Sequence, residues 1–113
     1  MKVHLIDGTY ELYRQRVGQA VRHSTPPPLA ATRGVVQSML QLLAGGATHI
    51  AVSVDHVIES FRNDLYDGYK TSDGMEEDIL EQLPIMEDTL RALGVAVWPM
   101  VKYEADDGLA AGA

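Results

Sequence analysis

Two short apolar runs that each close on an aspartate constrain the fold of this chain more than any other feature. Val3-His4-Leu5-Ile6 reads as a buried strand ending at Asp7, and Thr48 to Val54, β-branched and apolar, reads as a second strand ending at Asp55. A third run, Val95-Ala96-Val97-Trp98, stops before Pro99 and is followed within a few residues by Glu104-Ala105-Asp106-Asp107. Helical patterns separate the strands. Strands alternating with helices predict an α/β fold with a mostly parallel sheet covered on both faces. In open sheets of that kind, ligands bind beyond the carboxyl ends of the strands. Three acidic segments distant in sequence are therefore expected to meet along one edge.

The intervening elements follow from apolar spacing and stop signals. Thr9 is placed to cap a helix from Tyr10 to about Val21, with Tyr10, Tyr13, Val17, Ala20 and Val21 on one side and Arg14, Gln15 and Gln19 on the other. Pro26-Pro27-Pro28 forces a loop. Thr32 is placed to cap a second helix from Arg33 to Ala44, whose apolar stripe is Val35, Val36, Met39, Leu40 and Leu43, and Gly45-Gly46 stops it. Ser60 to Lys70 is irregular and reads as a short hairpin or an extended excursion. Asp73 is the candidate cap of a third helical region, with Glu76 in the capping-box position and Ile79, Leu80, Leu83, Met86, Leu90 and Leu93 as its stripe. Pro84 should kink or split that region, and Gly94 should end it. A last helix starts near Tyr103 and reaches Ala113.

Composition narrows the function classes. With 113 residues the chain is one domain or a piece of one. The absence of cysteine excludes a disulfide scaffold, a thiol nucleophile and any cysteine-held zinc or iron–sulfur site. No apolar stretch approaches the ~20 residues that span a bilayer, and Val3 to Ile6 is too short for a secretory signal. The expectation is a cytoplasmic protein with no membrane contact. Nine Lys and Arg against sixteen Asp and Glu, a net charge of −7, exclude a broad basic footprint.

The acidic edge itself suggests chemistry. Asp7, Asp55, Glu104, Asp106 and Asp107 would repel one another when crowded. Divalent cations offer compensation, and a set of oxygen donors without cysteine selects Mg²⁺ or Mn²⁺ rather than zinc. Two such ions roughly 4 Å apart are the usual arrangement for in-line attack on a phosphodiester. On a helix, Glu104 and Asp107 share a face while Asp106 points elsewhere. A competing reading makes one of these acids a helix cap, and makes Asp7 or Asp55 a turn residue.

Several stretches resemble a known family. Leu5-Ile6-Asp7-Gly8-Thr9 with Leu12-Tyr13-Arg14 resembles the opening of the 5′–3′ exonuclease domain of bacterial DNA polymerase I and of related flap endonucleases. The stretch from Phe61-Arg62 through Tyr66 to Tyr69-Lys70 is similar to that family's F-R-x-x-x-Y-x-x-Y-K pattern. Gln82-Leu83-Pro84, Leu93-Gly94 and Tyr103-Glu104-Ala105-Asp106-Asp107 follow in the family's order, and Y-E-A-D-D is its sharpest signature. The chain departs from the pattern at Val54, where phenylalanine is usual, and at Asp73, where arginine is usual.

The resemblance implies a PIN-like three-layer fold, incomplete at its C-terminus, with residues 1–113 the N-terminal portion of the nuclease domain. It implies metal-dependent 5′–3′ exonuclease or flap endonuclease activity on DNA with a 5′ end or flap, or on an RNA primer–DNA hybrid, beside a DNA polymerase. Asp7, Asp55, Glu104, Asp106 and Asp107 match the metal-site carboxylates, Lys70 the active-site lysine and Arg62 the family's arginine. Arg62 and Lys70 would engage phosphate, and Tyr10 or Tyr69 would stack a frayed base. Two alternatives stand beside this: a small PIN-type ribonuclease, and a non-catalytic interaction domain that kept the fold.

Overall fold

The computed structural model describes residues 1–22, 27–56, 62–65 and 77–113. Strands β1 (Val3–Asp7), β2 (His49–Asp55) and β3 (Ala96–Met100) form one parallel sheet in the order β1-β2-β3. The register sets Asp7 opposite Ser53 and Asp55 opposite Met100. Paired residues in a parallel ladder share a face, and alternate residues along a strand do too. Asp7, Ser53, Asp55 and Trp98 therefore lie on one face, while Ile6, Val52, Val54 and Val97 lie on the other.

The second face carries the core. Helices α1 (Gly8–Arg22), α2 (Ala30–Ala44) and α4 (Glu77–Leu93) supply Leu12, Val35, Met39, Ile79, Met86 and Leu90, which pack with Ile50, Val52 and Val54. The first face receives α5 (Ala105–Gly112). It lies close because residue 108 lacks a side chain: a Cβ there would stand 2.5 Å from Ser53 Oγ and 3.0 Å from Met100 Sδ. Helices on both faces of a parallel sheet match the expected α/β architecture.

Several local expectations are corrected. Helix α1 begins at Gly8, and its cap is Asp7, whose Oδ1 accepts the Tyr10 N–H at 3.0 Å. The Thr9 hydroxyl accepts the Asp55 N–H instead, at 2.9 Å. Helix α2 begins at Ala30, with Leu29 before it in the left-handed region at φ 59°. Thr32 is thus inside the first turn, and its N–H and hydroxyl both donate to Gln82 Oε1, at 3.0 and 2.7 Å. A first-turn N–H needs an acceptor, and here a side chain from another helix provides it.

Residues Arg62–Leu65 form a short helix, α3, in place of the expected hairpin or extended segment. The cap and capping box assigned to Asp73 and Glu76 lie outside the described residues. Helix α4 runs through Pro84 as one element, so of the two outcomes expected of that proline the split does not occur. Gly94, at φ 91°, takes the left-handed conformation that ends α4. Strand β3 continues through Pro99, which an edge strand permits because one side of its backbone needs no partner.

Candidate active site at the carboxyl edge of the sheet

Asp7 and Asp55 close neighbouring strands and are offset by two residues in register. With strands ~4.8 Å apart and a rise of ~3.3 Å per residue, their Cα atoms stand about 8 Å apart. Thr9 ties the two strand ends together through its bond from Asp55 N–H. Asp55 is 5% exposed, and its Oδ1 accepts the Ala105 N–H at 2.9 Å. That bond fixes the start of α5 above the sheet edge. The first turn of α5 is then held by a capping box, in which the Glu104 N–H donates to Asp107 Oδ2 at 2.8 Å.

Arg62 joins the third acidic segment. One of its terminal nitrogens donates to Glu104 Oε2, and the guanidinium makes two further bonds of 2.9 Å to the two oxygens of Asp107. The hydrogen bond to Asp107 contributes most to raising the Arg62 pKa above its ordinary value. The bond to Glu104 adds to it, and desolvation opposes it. Arg62 is therefore charged at every accessible pH.

Four of the five sequence-selected carboxylates thus gather along one edge: Asp7, Asp55, Glu104 and Asp107. Asp106 is exposed on α5 and stands apart from the face that Arg62 engages. Tyr10 is exposed one turn beyond Asp7. Tyr69 and Lys70 lie outside the described residues. The repulsion expected among the carboxylates is relieved by means the sequence did not disclose. Backbone N–H groups at the starts of α1 and α5 bind Asp7 and Asp55, where the helix dipole also favours negative charge. Arg62 bridges the remaining pair and offsets one of their two charges.

Two further groups at this edge have roles that the sequence did not disclose. Thr9 is one, expected as a helix cap but bound instead to the Asp55 N–H. The other is Glu87 on α4, which is 2% exposed and places both carboxylate oxygens 3.0 Å from His56 Nδ1. A carboxylate only accepts, so the Nδ1 position carries the hydrogen.

The comparisons with known proteins cover nearly the whole chain. The sequence profile described as 5′-3′ exonuclease, N-terminal resolvase-like domain matches residues 2–113. The chain belongs to this 5′–3′ exonuclease family. The thermostable DNA polymerase I of Thermus aquaticus is 32% identical over 111 residues, which are 96% of this chain and 13% of that protein. The 5′-3′ exonuclease of Mycoplasma pneumoniae is 30% identical over 110 residues, covering 91% of this chain and 38% of that protein. The DNA polymerase I of Rhizobium leguminosarum is 28% identical over 123 residues, 94% of this chain and 12% of its own length. The chain therefore spans a small part of the curated relatives it matches. No solved structure matches it significantly.

For a member of this exonuclease family, a hard divalent cation is the implied cofactor, and the donor chemistry fits one. The four gathered side chains offer carboxylate oxygens only, and one of them, Asp55, is buried against water. Among the described residues, however, no three acidic or histidine side chains are placed to hold a metal ion. Arg62 occupies the cation position between Glu104 and Asp107. No helix among the described residues is long and apolar enough to cross a membrane.

Proposed function

We propose that this chain supplies the carboxylate edge of a metal-dependent 5′ nuclease that hydrolyses DNA phosphodiesters at a 5′ end or flap, as the N-terminal portion of such a domain. The observation that carries the reading is the meeting of Asp7, Asp55 and the Glu104–Asp107 pair, from three separate segments, at the carboxyl edge of a parallel sheet. The names of the relatives, DNA polymerase I and 5′-3′ exonuclease, support DNA as the substrate and a polymerase as the associated activity.

Asp7, Asp55, Glu104 and Asp107 would hold Mg²⁺ or Mn²⁺, with Asp106 available from the exposed side of α5. Bound there, the ions would supply an acidified water and stabilise charge on the leaving oxygen. Asp55 has a fixed direction, because its other obligation is to the Ala105 N–H. Asp7 is likewise aimed by its bond from Tyr10 N–H. Arg62 has more than one role open to it. Released from Glu104 and Asp107, its forked guanidinium suits a phosphate oxygen pair. Lys70 would add a second positive charge to the scissile phosphate, and the exposed ring of Tyr10 offers a stacking surface for an unpaired base.

The deciding assay incubates the chain with Mg²⁺ or Mn²⁺ and a labelled 5′-flap DNA, beside single-stranded RNA. Flap cleavage that disappears in Asp7→Asn and Asp55→Asn, with melting temperatures held, supports the assignment. Cleavage of RNA alone would replace it with a ribonuclease. No cleavage, together with no shift of melting temperature on adding either ion, would leave a binding domain, since an ion that binds the native state must stabilise it.

A further inference from the structure

The arginines divide by pairing. Of the six in the chain, Arg14, Arg16, Arg62 and Arg91 each bond a carboxylate. Arg22 and Arg33 bond none among the described residues, and both are exposed in a single groove between α1 and α2. Although the chain has sixteen acids against nine basic residues, these two arginines face one groove with no ion pair among the described residues. The groove has a volume of about 450 Å³, and no carboxylate among the described residues lines it.

Two polar stripes form its walls. Gln15, Gln19 and Arg22 recur at helical spacing on α1, and Arg33, Gln37 and Gln41 recur at every fourth residue on α2. Gly34 lets the walls approach, because a Cβ there would collide with the side chain of Gln15. The Gln15 amide is spent on Ser38 Oγ at 3.3 Å, which leaves the guanidinium groups and the exposed Gln37 and Gln41 amides as donors. A row of donors without acids matches an extended anion rich in acceptor oxygens. The phosphodiester backbone has that chemistry, and guanidinium binds it bidentately.

Position relates the groove to the carboxylate edge. Arg22 ends α1 and Gly8 begins it, so at 1.5 Å per residue they stand about 21 Å apart. That equals roughly six nucleotide steps of 3.4 Å. Resting on the nuclease reading of the edge, we propose that the α1–α2 groove is a second contact for the DNA backbone, holding phosphates about six nucleotides from the bond to be cut.

The test measures binding of the chain to a labelled 5′-flap duplex by fluorescence anisotropy across roughly 50 to 200 mM salt. The double variant Arg22→Gln, Arg33→Gln should raise Kd about tenfold, each exposed ion pair being worth up to about fivefold. It should also flatten the slope of log affinity against log salt by about 2, one for each phosphate that the variant leaves unneutralised. Both positions are exposed, so its thermal melt should match the wild type. A flap substrate cut back to fewer than about six base pairs from the junction should bind wild type and variant equally.

Unchanged Kd and salt slope in the double variant would overturn the proposal. So would polyglutamate displacing the DNA from wild type as well as an equal charge of unlabelled DNA does, since the groove would then fit an acidic polypeptide. Failure here is separable from failure of the nuclease reading. A wild type that cuts the flap, with a double variant that binds it normally, removes the groove alone. A wild type that cuts nothing, with a double variant that loses affinity and salt slope, keeps the groove as a DNA contact and removes the nuclease.

Discussion

Adding one methyl group at two glycines of the same helix should change stability in opposite directions. Gly8 opens α1 directly over β2: a Cβ there would stand 2.6 Å from Val52 Cγ1, 3.0 Å from Val54 Cγ2 and 3.3 Å from Ser53 O. Ordinary carbon contacts lie at about 3.5–4.0 Å, so roughly 1 Å of movement is needed. Neither valine can give way readily, since both are fully buried and β-branched side chains have little χ1 freedom. Overpacking of this kind costs about 1–3 kcal/mol. Alanine recovers up to about 1 kcal/mol over glycine in a helix, less at its first residue. Gly8→Ala should therefore lose about 1–2 kcal/mol, a fall of about 4–8 °C in melting temperature. At Gly18 nothing lies within 4 Å of the added carbon. Only the backbone effect operates there, and Gly18→Ala should gain up to about 1 kcal/mol. Urea unfolding followed by circular dichroism measures both. A Gly8→Ala protein as stable as the wild type, or two shifts of the same sign, would refute the close packing of α1 on β2.

Two other perturbations test how the edge and the core are held. Gln82→Ala removes the acceptor for the Thr32 N–H and hydroxyl, both buried, and should cost about 1–3 kcal/mol in urea unfolding, while Gln82→Glu, which keeps the acceptor, should cost less. Equal losses in the two variants would show that the bond itself contributes little. Arg62→Gln takes the cation away from Glu104 and Asp107, so Mn²⁺ should bind several-fold more tightly by titration calorimetry. Unchanged or weaker Mn²⁺ binding would mean that Arg62 does not compete for that pair.

The strand-ending aspartates were legible from the sequence because two physical signals coincide there. An apolar run of strand length stops on a charge, and a parallel sheet puts every such stop at one edge. Glu104 and Asp107 were legible through helical spacing, which also separated Asp106 from them. Caps were read less well. Thr9 and Thr32 both carry the right side chain for an N-cap, yet each sits within the helix and bonds across the fold, to Asp55 and Gln82. Local preference selects residues able to satisfy a helix end, but it does not say whether a neighbour from afar will do so first.

Strand and helix order and the gathering of acids along one edge belong to the sequence itself, since apolar periodicity is a property of the chain at close range. How those acids are kept from repelling one another was settled only by the tertiary structure. The helix starts that bind Asp7 and Asp55 and the Arg62 bridge each join residues whose approach depends on packing across the whole sheet. Electrostatic compensation acts through space, and the distances that govern it exist only once the chain has folded.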